Sequence, residues 1–265
     1  MRFSGDDAEI FYTVMGDGPP VVLLHPFPAN HRVWLPAAEL LAGRYRLILP
    51  DLRGHGQSGA GTGPATMEKH AADLVRLLDA SGVGKAVFAG VSIGGYVLFE
   101  FWRRHRERLS GLILCDTRAG ADTEEGRANR LKAADDVEKQ GPVTFIDSMI
   151  PKLLGDTTRT TRPDLVERAR RMMLEMSAAG IAAVQRGMAA RPDSVADLKT
   201  INVPTLVMVG TEDILTPLSE AESMQRQIAG SRLQTIPRAG HYAVFEQHEA
   251  AGRAIRSFLD GLKGW

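Results

Sequence analysis

The residues best suited to chemistry stand in Gly90-Val91-Ser92-Ile93-Gly94, with Gly95 directly behind. Ser92 falls between the apolar run Ala86-Val87-Phe88-Ala89 and a helical pattern, so the spacing predicts a tight strand-to-helix turn with the hydroxyl at its apex. Such a turn strains the backbone and presses its flanks together, which calls for the small residues on either side. Chance alone supplies Gly-x-Ser-x-Gly roughly 0.12 times in 265 residues holding 27 glycines and 12 serines. The pattern is modest evidence by itself, and its place between strand and helix gives it weight. A helix opening there aims its positive end at the site and favours negative charge that develops on a substrate.

A serine hydroxyl is a poor nucleophile until a base takes its proton. Seven histidines compete for that task. His241, in Ala239-Gly240-His241-Tyr242, follows the last strand pattern and precedes the last helix, where a loop can hold it over the strand ends. His55 reads as part of a glycine-rich turn, His70 and His105 lie on helix patterns, and His31 and His248 lie near helix starts. His241 is therefore the expected base. The acid that orients it should also follow a strand, and Asp213 does so in Gly210-Thr211-Glu212-Asp213, after Leu206-Val207-Met208-Val209. The order Ser92, Asp213, His241 is one of the established chain orders for such a triad. Asp116 also ends a strand pattern, in Ile113-Leu114-Cys115-Asp116, and competes for the acid's role; Glu212 is a further candidate. Two backbone donors must bind the oxyanion. One is the Ile93 N–H. The other comes from His25-Pro26-Phe27-Pro28, where proline carries no N–H and Phe27 is left.

These groups need elements to position them. Strands are predicted at Glu9–Met15, Val21–His25, Arg46–Pro50, Lys85–Gly90, Gly111–Cys115, Thr205–Val209 and Arg232–Ile236. Several are apolar at successive positions, as in Val21-Val22-Leu23-Leu24, which suits strands covered on both faces. Met67, Ala71, Leu74, Val75 and Leu78 predict an amphipathic helix over Met67–Ala80. Thr216-Pro217 reads as a cap opening a helix toward Ile228, and a last helix is expected from Gln247 to Leu262. Strands alternating with helices predict an α/β fold with a mostly parallel sheet. The alternation breaks between Arg118 and about Val203. Asp122 with Glu125 resembles a capping box whose helix Gly141-Pro142 ends. Leu165, Ala169, Met172, Met173 and Met176 form an apolar stripe after Pro163. The segment reads as a helical insertion over the strand ends, where α/β proteins bind ligands.

Composition excludes several function classes. Of the residues, 44% are apolar and 24% charged, and 32 Lys+Arg balance 32 Asp+Glu. That balance gives no electrostatic grip on nucleic acid or anionic lipid, so neither is an expected partner. The cluster Arg103-Arg104-His105-Arg106 reads as the cationic last turn of a helix. One cysteine, Cys115, makes no internal disulfide and no zinc site alone. No secretory signal is visible near Met1, and no apolar run suits a bilayer span. The expectation is a reduced, cytoplasmic protein that needs no metal or organic cofactor.

The motifs His25-Pro26-Phe27-Pro28, Asp51-Leu52-Arg53-Gly54-His55-Gly56-Gln57-Ser58, the turn at Ser92, Gly210–Pro217 and Gly240-His241-Tyr242 together resemble the α/β-hydrolases. The resemblance is to their bacterial esterase, lactonase and cofactor-free haloperoxidase branch, including enzymes that open enol-lactones and acyl-homoserine lactones. It implies an eight-stranded sheet with helices on both faces and a helical cap inserted after strand 6. The core would be residues 1–117 and 192–265, the cap 118–191, and Asp51–Ser58 a structural turn. Many relatives have glycine where this chain has Pro26. Pro28 after Phe27 is similar to relatives that form peracids. The expected activity is hydrolysis of carboxylic esters, lactones included, with perhydrolase or haloperoxidase chemistry and a ligand-binding sensor as the alternatives. His25, Trp34, Met149 and Met173 are the candidates for contacting a small ester or lactone. Arg127, Arg130, Arg168 and Arg171 either face an anionic substrate or lie on solvated helix faces.

Overall fold

The apolar runs fold as strands β1 (Arg2–Ser4), β2 (Glu9–Met15), β3 (Pro20–Leu24), β4 (Arg46–Pro50), β5 (Ala86–Val91), β6 (Leu109–Cys115), β7 (Thr205–Gly210) and β8 (Arg232–Ile236). They make one sheet in the order β1-β2-β4-β3-β5-β6-β7-β8, antiparallel at β1–β2 and β2–β4 and parallel elsewhere. This computed structural model describes residues 1–262; the final positions of the core segment expected over 192–265 lie outside the described residues. β5 and β7 are buried at every position, which requires cover on both faces and explains their unbroken apolar sequence. β1 had no signature in the sequence. It is a three-residue edge strand with only Phe3 partly covered, so no apolar pattern marks it.

The helices are α1 (Leu35–Glu39), α2 (Met67–Ala80), α3 (Ile93–His105), α4 (Glu124–Gln140), α5 (Val143–Leu153), α6 (Asp156–Thr161), α7 (Pro163–Met173), α8 (Ala178–Ala189), α9 (Val195–Leu198), α10 (Leu218–Gln227), α11 (Ala243–Glu246) and α12 (His248–Asp260). α2 matches its expected limits because Thr66 caps it and Met67, Ala71, Leu74 and Leu78 are buried along one stripe. Truncating one such leucine costs about 2–5 kcal/mol. α3 ends in Arg103, Arg104 and His105, cations at the negative end of the helix.

Between β6 and β7 the chain forms α4 to α9 and no strand. α4 packs along α8, and α5 against α7. The insertion touches the core through backbone bonds: Ala65 N–H donates to Ala183 at 2.9 Å, and His241 N–H to Leu153 at 3.0 Å. Gly187 of α8 lies against the Ala65 carbonyl with no room for a Cβ. Two predicted caps are corrected here. Thr123, not Asp122, caps α4, accepting from Gly126 N–H at 3.1 Å. α10 starts at Leu218 with extended Pro217 before it, and the Thr216 side chain turns instead to Asp213. Among the described residues no helix is long and apolar enough to cross a membrane.

Candidate active site

Ser92 stands at the N-terminus of α3 with φ 55° and ψ −114°, a conformation L-residues rarely adopt. Neighbouring bonds hold it there. Ser92 N–H donates to the carbonyls of Cys115 (3.0 Å) and Asp116 (3.1 Å), and the Thr117 hydroxyl donates to the Ser92 carbonyl at 2.8 Å. A Cβ on Gly90 would sit 2.5 Å from the Gly94 carbonyl carbon, and one on Gly94 2.9 Å from the Leu24 oxygen. Both ends of the motif must therefore be glycine for the turn to close.

His241 lies in the loop between β8 and α11, buried, with Nδ1 2.8 Å from Asp213 Oδ2. Asp213 follows β7 and is held from several sides. Its Oδ2 accepts the Thr216 hydroxyl at 2.6 Å, and its Oδ1 accepts the N–H groups of Leu215 (2.9 Å) and Thr216 (3.1 Å). Burial raises the Asp213 pKa, but the charge and hydrogen bond of His241 and the bonds from Thr216 outweigh it, so the net shift is downward. An ionised Asp213 keeps the proton on Nδ1 and leaves Nε2 as the basic nitrogen. Ser92 and His241 line one cavity of about 460 Å³, together with Phe27, Tyr96, Met149, Leu215 and Thr216. A larger groove of about 630 Å³, between α7 and the α1 and α12 side of the core, contains neither.

The competing acids are engaged elsewhere. Asp116 Oδ1 accepts Gly210 N–H at 2.7 Å, and Ala243 N–H also bears on its carboxyl group. Burial, reinforced by the Asp213 charge, pushes its pKa well above the usual carboxylate range. Glu212 Oε2 accepts Thr157 N–H from α6 at 2.8 Å.

The Phe27 loop is anchored at both ends. His25 Nδ1–H donates to the Pro26 carbonyl at 2.9 Å, which leaves Nε2 to accept Leu52 N–H at 2.9 Å. The Tyr242 hydroxyl donates to the Phe27 carbonyl at 3.1 Å. Among the described residues no protein acceptor engages the N–H of Phe27 or of Ile93. Asp51 binds His31 N–H at 2.9 Å and Gln57 N–H at 2.9 Å, and so ties down the Asp51–Ser58 turn.

Of the expected substrate contacts, Met149 lines the cavity and His25, Trp34 and Met173 do not. Each of those three is fully buried: His25 pins a loop, while Trp34 and Met173 pack in the apolar core. Among the arginines, Arg130 lines the cavity, whereas Arg168 and Arg171 line the other groove and Arg127 lines neither. The hydroxyl partners of Thr216, Thr117 and Tyr242 carry no signal in the sequence, because a hydroxyl's partner is set by the fold and not by spacing.

A family model described as alpha/beta hydrolase fold matches residues 19–247. Over 247 residues the chain is 26% identical to 3-oxoadipate enol-lactonase 1 of Acinetobacter baylyi, covering 93% of this chain and 91% of that protein. Among solved structures it is similar to a thermophilic esterase from Thermogutta terrifontis, with TM-score 0.97, 41% identity and full coverage of both chains. It is also similar to an enol-lactonase from Burkholderia xenovorans LB400, with TM-score 0.91, 25% identity, and coverage of 98% of this chain and all of that one.

Proposed function

Because this chain belongs to the alpha/beta hydrolase family, we propose that it is a serine hydrolase of carboxylic esters, lactones included. Ser92 Oγ attacks the carbonyl carbon while His241 Nε2 takes its proton, and Asp213 fixes the imidazole and stabilises its charge. The N–H groups of Phe27 and Ile93 bind the oxyanion of the tetrahedral intermediate. His241 then protonates the leaving alcohol, which departs from an ester or stays tethered to the acyl chain of an opened lactone, with the acyl group left on Ser92. A water deprotonated by His241 attacks that ester, and collapse of the second intermediate releases the acid and restores the Ser92 hydroxyl. Residues 118–191 act as a cap that shapes the acyl and alcohol pockets.

The observation that carries this reading is the His241–Asp213 pair at 2.8 Å, whose histidine lines the same cavity as a serine in a strained turn. Names of relatives, an esterase and enol-lactonases, agree with it. The test is a panel of short and long p-nitrophenyl esters, simple lactones and acyl-homoserine lactones, ranked by kcat/KM. Turnover that Ser92→Ala removes while the fold stays intact is the expected result; turnover surviving in Ser92→Ala contradicts it. Peroxide-dependent halogenation exceeding ester hydrolysis would move the main role to perhydrolase chemistry with the same triad.

A further inference from the structure

The catalytic cavity carries more positive charge than its own carboxylates balance. Arg118, just after β6, Arg130 of α4 and Lys152 of α5 all line it, and Asp122 is the one carboxylate in that lining. Asp122 Oδ1 accepts Arg118 at 2.7 Å, and Oδ2 accepts Arg130 and Arg191, each at 2.6 Å. Glu220 is a second acid whose charge reaches Arg118. Within the lining itself, three cations thus face one carboxylate.

A purely structural cluster would spend its cations on protein acceptors, and two of these do so. Arg191 also donates to the Gly120 and Met188 carbonyls at 3.0 and 3.3 Å and stacks on the Tyr96 ring at 4.2 Å. Arg130 also reaches Gln185 Oε1 at 3.1 Å. Arg118 differs: its buried Nε has no acceptor among the described residues. Lys152, exposed at the rim, makes no ion pair there. The closed Nε marks a guanidinium that protein acceptors satisfy only in part, and the groups open to an entering anion are those that Arg118 and Lys152 present in the cavity lining.

We propose that Arg118 and Lys152, backed by Arg130, form an anion subsite that selects esters or lactones bearing a carboxylate away from the scissile bond. A guanidinium fork and a mobile ammonium suit a carboxylate, the first by direction and the second by charge. The inference rests on the ester-hydrolase reading above and specifies its substrate class.

Matched pairs of esters test it. In one pair the charge is on the acyl side, p-nitrophenyl butyrate against mono-p-nitrophenyl glutarate. In the other it is on the alcohol side, phenyl acetate against 3-carboxyphenyl acetate. The charged member of at least one pair should lead by about tenfold in kcat/KM, mainly through KM, and added salt should narrow the lead. Arg118→Gln and Lys152→Glu should each lower that charged-to-neutral ratio by about tenfold. Lys152 is exposed, so its variant keeps the test open if Arg118→Gln folds poorly. Preference for the neutral member in both pairs, or a ratio untouched by Lys152→Glu, overturns the subsite while Ser92-dependent turnover of neutral esters leaves the hydrolase reading standing. No turnover of any of the esters would defeat the hydrolase reading itself.

Discussion

Asp213 and Asp116 both follow parallel strands, yet their surroundings shift their pKa values in opposite directions. Asp213 accepts hydrogen bonds from His241, Thr216 and Leu215, and its pKa falls although burial opposes it. Asp116 accepts Gly210 N–H and is approached by Ala243 N–H, yet burial and the charge of Asp213 push its pKa well up. Asn mimics a neutral carboxyl but carries no charge to stabilise an imidazolium or fix its tautomer. Asp213→Asn is therefore expected to lower kcat/KM by about 10²–10⁴, and Asp116→Asn by much less. Steady-state kinetics on the two variants decide it, and a larger loss at Asp116 reverses the assignment. The Asp213 position was legible because an acid after an apolar strand is a local pattern. The Thr216 hydroxyl was not, since Thr-Pro reads equally well as a helix cap until the turn after β7 points it at the carboxylate.

The loop bearing His241 and the α5–α6 junction form one hydrogen-bonded unit. Glu246, the last residue of α11, accepts Gly240 N–H (3.0 Å) and Tyr242 N–H (3.2 Å) on one oxygen and Gly155 N–H (2.8 Å) on the other. His241 N–H donates to Leu153 at 3.0 Å in the same seam. A Cβ on Gly155 would sit 2.7 Å from Gly240 N, so the two backbones meet with nothing between them. Glu246→Gln replaces one acceptor oxygen with a donor. An unpaired buried N–H should then cost about 1–3 kcal/mol of stability, and displacement of His241 should lower kcat by about tenfold. Urea unfolding and kcat measured on the same sample check both; a variant unchanged in both shows that the seam does not hold the histidine. Seven of the eight strands and most of their limits were legible because apolar periodicity is local. β1, a short edge strand, was not, nor was this seam, whose partners lie 91 residues apart.

The net charge of zero conceals an internal asymmetry in how the molecule responds to acid. His25, His55 and His70 are fully buried, with His25 and His55 rings 4.8 Å apart. Burial pushes His25 down to about 4 and His70 to about 3, and His55 well below its usual range. The unfolded chain takes up these protons below about pH 6.5, whereas the folded chain does not until far lower pH. Stability from these groups is therefore complete above about pH 6.5 and declines as pH falls toward 4, by up to about 1.4 kcal/mol per pH unit for each imidazole. His70→Leu should flatten the dependence of unfolding free energy on pH over that window. An identical slope in the variant would contradict a neutral buried His70.

Whole-molecule architecture and local chemistry meet at one covalent bond, the ester expected between Ser92 and the acyl group of the substrate. Rapid acid quench during turnover of a p-nitrophenyl ester, followed by peptide mass spectrometry, reads that bond directly. The acyl mass should appear on the peptide carrying Ser92, and it should be absent from that peptide in Ser92→Ala. An acyl group on another residue, with the Ser92 peptide unmodified and Ser92→Ala still turning over, would contradict the account.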